Sequence, residues 1–202
     1  MPRIWPNVAY ATTSKAATNA RRLPWLLLLL LGACSTPERT ALQSLDGSRV
    51  YFDSLAADRL RLVFFMGPEC PLSENYTAAV NRWHEQSGDS LQVVVVIPGD
   101  YDSRDKVLDF RSRYRLEAPV YRDTSWALTR RLDARITPEV VVLRGQKVVY
   151  QGAIDNWAIG LGQKRRKATE HYLDNAIEAY FAGRWIHPKR TEAVGCFIEL
   201  PR

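Results

Sequence analysis

The chain has 202 residues, 46% hydrophobic and 25% charged, the profile of an ordinary globular protein with one domain as the natural expectation. Its formal charge of +6 is concentrated at the start: residues 1–33 hold Arg3, Lys15, Arg21 and Arg22 and no acid, leaving 24 basic and 22 acidic side chains, or +2, for the remainder. So small a surplus excludes electrostatic capture of nucleic acid, and the basic run Lys164-Arg165-Arg166-Lys167 reads as a solvated loop.

Taken in chain order, the first segment reads as an export signal. Arg21-Arg22 precedes Leu23-Pro24-Trp25, the unbroken run Leu26 to Leu31, and Gly32-Ala33-Cys34. The apolar run falls short of the roughly 20 residues that span a bilayer, yet suits a signal-peptide core. Leu31-Gly32-Ala33-Cys34 resembles the bacterial lipobox. That resemblance implies a lipid on the Cys34 thiol, cleavage just before it, and a bacterial cell-envelope location facing the periplasm or exterior. With Ser35 next, it implies the outer membrane where one is present. The alternative is a plain signal peptide with an incidental Cys34. The expected division is 1–33 lipoprotein signal peptide, 34–41 tether, 42–185 folded domain and 186–202 C-terminal extension carrying Cys196. If Cys34 is lipidated, Cys70 and Cys196 remain, in a compartment that permits disulfides. Two cysteines allow one bridge and no four-Cys metal site.

The folded segment opens with a turn at Asp46-Gly47 and a short strand at Val50-Tyr51-Phe52. Leu60 to Met66 is an apolar run of strand length stopped by Gly67-Pro68. From Leu72 to about Gln86, Tyr76, Ala79, Val80 and Trp83 fall at helical spacing. Leu91 to Ile97 contains Val93 to Val96, a β-branched run suited to a central strand covered on both faces. Asp102 or Ser103 caps the next helix, with Val107, Leu108 and Phe110 on its apolar face. A short strand at Ala118 to Tyr121 follows, then a helix from Asp123 as cap through Leu132. Val140 to Leu143 and Val148 to Tyr150 form a hairpin about Arg144-Gly145-Gln146-Lys147. A last helix runs from about Thr169 to Ala182, ended by Gly183. Alternating strands and helices followed by a hairpin predict an α/β fold: a mixed central sheet with helices on both faces.

Cys70 stands just past an apolar strand, at the first turn of a helix whose first position suits Pro71. Unpaired N–H groups and the helix dipole there stabilise a thiolate, so the position favours a reactive cysteine over an inert, buried one. Glu69 beside it opposes ionisation if close.

The segment Val63 to Ser73 resembles the active-site region of thioredoxin-like proteins. Ile136-Thr137-Pro138-Glu139 to Leu143, with the hairpin after it, resembles that fold's cis-proline loop. The resemblance implies a cis Pro138 beside Cys70, with Thr137 facing the thiol and offering backbone atoms to a bound peptide. The separation of 68 residues between Cys70 and Pro138, with an extra helix and strand, is similar to redoxins of the alkyl hydroperoxide reductase/thiol-specific antioxidant superfamily. A group of exported bacterial redoxin-domain proteins is closer still. Its pattern is matched by Gly67 to Pro71 with Tyr76, by Gly152-Ala153-Ile154-Asp155-Asn156, and by Ala193-Val194-Gly195-Cys196.

Two departures bear on activity. Ser73 stands where a Cys-x-x-Cys motif has its second thiol, and Gly67 where a peroxiredoxin has a threonine. Cys196 either resolves or bridges Cys70, or is a packed, unpaired cysteine in a C-terminal strand; the sequence leaves both open. His84, His171 and His187 lack ligand-pair spacing, so no metal or other cofactor is expected. The leading expectation is a lipid-anchored redoxin exchanging thiols and disulfides with envelope proteins through Cys70, assisted by Cys196, Thr137 and Pro138. The alternatives are a non-catalytic, partner-binding lipoprotein of the same fold and a one-Cys thiol peroxidase.

Overall fold

The computed structural model describes residues 39–55 and 58–201, so the expected export signal and Cys34 lie outside the described residues. No helix among the described residues is long and apolar enough to cross a membrane.

The chain enters through strands β1 (Ala41–Ser44) and β2 (Arg49–Tyr51), then a 3-10 turn at Phe52–Ser54. Strand β3 (Leu60–Phe65), helix α1 (Pro71–Glu85) and strand β4 (Leu91–Pro98) follow. Next come α2 (Arg104–Arg113), β5 (Val120–Asp123) and the short α3 (Ala127–Arg131). Then β6 (Ile136–Thr137), β7 (Glu139–Arg144) and β8 (Lys147–Gly152) lead to a small hairpin, β9 (Ala158–Gly160) with β10 (Gln163–Lys164). Helix α4 (Tyr172–Phe181) and strand β11 (Cys196–Phe197) complete the order.

Seven strands form the central sheet in the order β2-β1-β5-β4-β3-β7-β8. β4 runs parallel to β3 and β5, as its connections through α1 and α2 require, and the outer pairs are antiparallel. Every residue of β3 is buried, because the strand is covered on both faces. Leu60, Leu62 and Phe64 pack with Val93, Val95 and Ile97 under Tyr76, Val80, Phe110 and Leu173 of α1, α2 and α4. Val63 and Phe65 pack with Val94, Val96 and Val141 against Leu128, Leu132 and Phe52 on the other face. The fold is the mixed α/β, two-faced sheet that the sequence predicts.

One residue of the apolar run departs from the pattern. Arg61 is fully buried, its guanidinium 4.3 Å from the Phe52 ring centroid. It donates to the carbonyls of Phe52 at 2.9 Å, Leu55 at 3.2 Å and Gly145 at 2.5 Å. The buried charge is thus met by main-chain acceptors.

Two helix starts differ from expectation. Asp123 ends β5, and its Oδ2 accepts from both the amide and the hydroxyl of Thr129 at 2.7 Å. The cap position itself is Trp126, at φ 56°, and only the turn Ala127–Arg131 is helical. α4 begins at Tyr172, and just before it Asn156 Oδ1 accepts from the amides of Thr169 and Glu170 at 2.8 and 3.1 Å. The strand after α2 is β5 at Val120–Asp123, shifted toward the C-terminus from the predicted Ala118–Tyr121.

Candidate active site

The site lies where β3 ends and α1 begins. Met66 still donates to Val96 O at 3.0 Å, after which Gly67-Pro68-Glu69 turns the chain and Cys70 N donates to Gly67 O at 3.0 Å. Cys70 is the N-cap of α1, with extended backbone (φ −91°, ψ 113°), and Pro71 follows in the first turn. Cys70 is 3% exposed. Ser73 does not replace the missing second thiol. Its hydroxyl accepts from Gly67 N at 3.0 Å and pins the turn that carries Cys70.

Thr137–Pro138 is a cis peptide. β6, just before it, sets the Thr137 carbonyl 3.0 Å from Cys70 Sγ, which donates to it as a thiol. The room for this approach comes from Gly67: a Cβ there would lie 3.1 Å from Thr137 Oγ1 and 3.5 Å from the Cys70 Cβ.

The C-terminal extension folds back to complete the site. Thr191 anchors it: its amide donates to Gln151 O at 3.0 Å, and its Oγ1 meets Ala153 N at 3.0 Å and Tyr150 Oη at 2.6 Å. Gly152, at φ 139°, is required there, because a Cβ would collide with the Thr191 carbonyl. Beyond Thr191, β11 pairs antiparallel with β6, placing Cys196 opposite Thr137 and Phe197 opposite Ile136. Cys196 Sγ lies 2.7 Å from Cys70 Sγ, both cysteines being free. The four site residues expected from sequence, Cys70, Cys196, Thr137 and Pro138, meet in one place.

The electrostatics divide the two thiols. Burial pushes the Cys70 thiol up, but the Cys196 S–H and the amides of Ser73, Cys196 and Leu72 outweigh it, and the net shift is downward. Cys196 is pushed up to about 12 by burial, by its hydrogen bond to Cys70 and by the charge on that sulfur. The two thiols are thus shifted in opposite directions, Cys70 downward and Cys196 upward. Glu69 does not oppose this: it is exposed and paired with Lys106 Nζ at 2.6 Å.

A groove of about 250 Å³ leads to the pair, lined by Gly67, Cys70, Tyr101, Thr137, Cys196 and Phe197 among others. The tail forms one wall. Ile198 N donates to Arg135 O at 2.8 Å, and Trp126 Nε1 donates to Glu199 O at 3.1 Å. Trp126 lies edge-on to Tyr101, with ring centroids 5.5 Å apart, and over Gly99, where a Cβ would strike the indole. Sequence reasoning missed this platform of Gly99, Tyr101 and Trp126; the Pro98-Gly99 strand stop is its one sequence signal. Gly195 stands in the motif quoted from the sequence, but its part is visible only here: a Cβ would collide with the Thr137 carbonyl. Among the described residues no group of three or more His, Cys, Asp or Glu could hold a metal ion.

The segment Gly152 to Asn156, singled out from the sequence, has a structural part. Asp155 accepts from Tyr76 Oη at 2.5 Å and from Trp157 N at 2.9 Å, tying α1 to the loop after β8. Asn156 holds the chain entering α4.

No family model matches the chain, and no curated protein matches it. Among solved structures, it is similar to a hypothetical protein from Sinorhizobium meliloti, with TM-score 0.67 and 21% identity over 81% of this chain and 93% of that one. An uncharacterized conserved protein from Geobacillus kaustophilus gives TM-score 0.65 and 20% identity, over 81% and 89%. The pneumococcal exposed lipoprotein thioredoxin from Streptococcus pneumoniae gives TM-score 0.50 and 16% identity, over 69% and 98%. The chain has a thioredoxin-like fold.

Proposed function

We propose that the protein is a thiol-disulfide exchange redoxin, held in the bacterial cell envelope by a lipid on Cys34, with Cys70 as nucleophile and Cys196 as resolving thiol. The observation that carries this reading is the 2.7 Å separation of Cys196 Sγ from Cys70 Sγ at the start of α1. In the reducing direction the Cys70 thiolate attacks one sulfur of a partner disulfide. A Cys70–partner bond forms and the partner's other sulfur leaves as a thiolate. Cys196 then loses its proton to that thiolate and attacks Cys70 Sγ, releasing the second partner sulfur, which takes a proton from water. The partner disulfide is reduced to two thiols, and Cys70 with Cys196 is oxidised to a disulfide. A one-Cys peroxidase is disfavoured, since Gly67 supplies no hydroxyl to orient a peroxide against the Cys70 sulfur.

The test is exchange with a model disulfide. Wild type should yield a bridged Cys70–Cys196 peptide by mass spectrometry, and Cys196→Ser should accumulate the Cys70 mixed disulfide. No exchange by wild type, or equal turnover by Cys196→Ser, overturns the reading. Peroxide consumption with sulfenic acid at Cys70 would favour the peroxidase instead.

A further inference from the structure

β6 is a strand edge outside the central sheet, and β11 is its one strand partner among the described residues. Such an edge takes an extended segment through main-chain hydrogen bonds, with side-chain fit supplying the selectivity. The chain's own tail holds that position. Its seat is short: two residues pair with β6, Ile198, Glu199 and Pro201 add single main-chain bonds, and Thr137 Oγ1 donates to Cys196 O at 3.5 Å, while Ile198 packs on the core and Phe197 is 83% exposed. Between the Thr191 anchor and β11, residues 192–195 run as irregular chain. Yet the seated tail covers the nucleophile, leaving Cys70 3% exposed with Cys196 directly on its sulfur.

We propose that residues 194–198 are a built-in substitute for the substrate: the partner is an extended segment with a glycine immediately before its reactive cysteine, and it exchanges places with the tail on β6. This rests on the thiol-exchange reading of the site. A partner sulfur reaches Cys70 only after Cys196 leaves its 2.7 Å position. The partner segment then pairs with Ile136–Thr137 as β11 did. The side chain before its cysteine meets the Thr137 carbonyl, where a Cβ at 195 has no room. The residue after the cysteine faces solvent, as Phe197 does, so it is weakly selected. When the tail returns, it brings Cys196 to the mixed disulfide and takes back the edge that held the partner. Resolution and release are one event.

The test uses the full chain carrying Cys196→Ser, so that binding is read without exchange. Adding Gly195→Ala to it should unseat the tail and speed Cys70 alkylation by about tenfold, the worth of one or two main-chain hydrogen bonds. The free peptide Ala-Val-Gly-Ser-Phe-Ile-Glu should then slow alkylation again, while Ala-Val-Ala-Ser-Phe-Ile-Glu should not. Circular dichroism of the double variant checks that it is folded. As a second variant, Trp126→Phe removes the bond to Glu199 and should also speed alkylation. Alkylation unchanged within about twofold in both variants, or equal protection by the two peptides, overturns the proposal. Peptide discrimination without any exchange by wild type would leave the docking edge standing and sink the exchange reading alone.

Discussion

The Sγ atoms of Cys196 and Cys70 lie 2.7 Å apart, so the protonation of either bears directly on the other. The main-chain amides that also face Cys70 come from both ends of the domain: Ser73 and Leu72 in α1, and Cys196 itself. Ionisation of the nucleophile is a property of the assembled site.

The alkylation rate of wild-type Cys70 against pH should therefore have its midpoint below the ordinary thiol value of about 8.5. Cys196→Ala removes the S–H donor and should move that midpoint upward; Cys196→Ser, which keeps a donor, should move it less. Stability of the reduced protein follows. Between the lowered Cys70 value and about 8.5 the folded chain holds fewer protons than the unfolded one, so stability rises with pH. Above about 8.5, Cys196, pushed up to about 12, holds its proton longer in the folded chain, and the slope reverses. Urea melts of reduced protein at several pH values would show the turn.

Ser73→Ala should destabilise by about 1–2 kcal/mol, since it leaves the partly buried Gly67 amide without an acceptor. Because that bond pins the Cys70 turn, exchange should slow as well. A change in urea midpoint with no change in exchange rate would show that the turn holds its shape without Ser73.

Arg61→Met should cost about 3 kcal/mol, read by chemical denaturation. The methionine fills much of the volume, but three inward carbonyls, Phe52, Leu55 and Gly145, lose a charged donor. Arg61→Lys should recover only part, because an ammonium lacks the planar fork that reaches both segments.

Asn156→Ala should cost about 1 kcal/mol and loosen the start of α4. Amide exchange should quicken at Thr169 and Glu170, while Cys70 alkylation stays unchanged.

How far the site was legible in the sequence depends on the range of the forces that build it. Cys70 before Pro71, after an apolar strand, announces a helix-start cysteine because the strand, the turn and the helix are local patterns. The cis Thr137–Pro138 followed from resemblance, and the geometry contains it. The Cys196 position did not follow, because nothing in Val194-Gly195-Cys196 says where a chain returns. That is decided by Thr191 on Gln151 and by Gly195 on Thr137, contacts across the fold. The two-residue strands β6 and β11 likewise carry no periodicity to read. Arg61 sat in an apolar run as an apparent exception, and only the carbonyls gathered around it explain why a charge stands there.

The bond from Trp126 to the Glu199 carbonyl has a spectroscopic consequence. Its indole rests on Gly99, touches Tyr101 and is 8% exposed, and its N–H is committed to the one segment that moves if Cys70 is to be reached. In a variant whose other tryptophans are replaced by phenylalanine, fluorescence from this ring should report whether the tail is seated as reductant or partner is added.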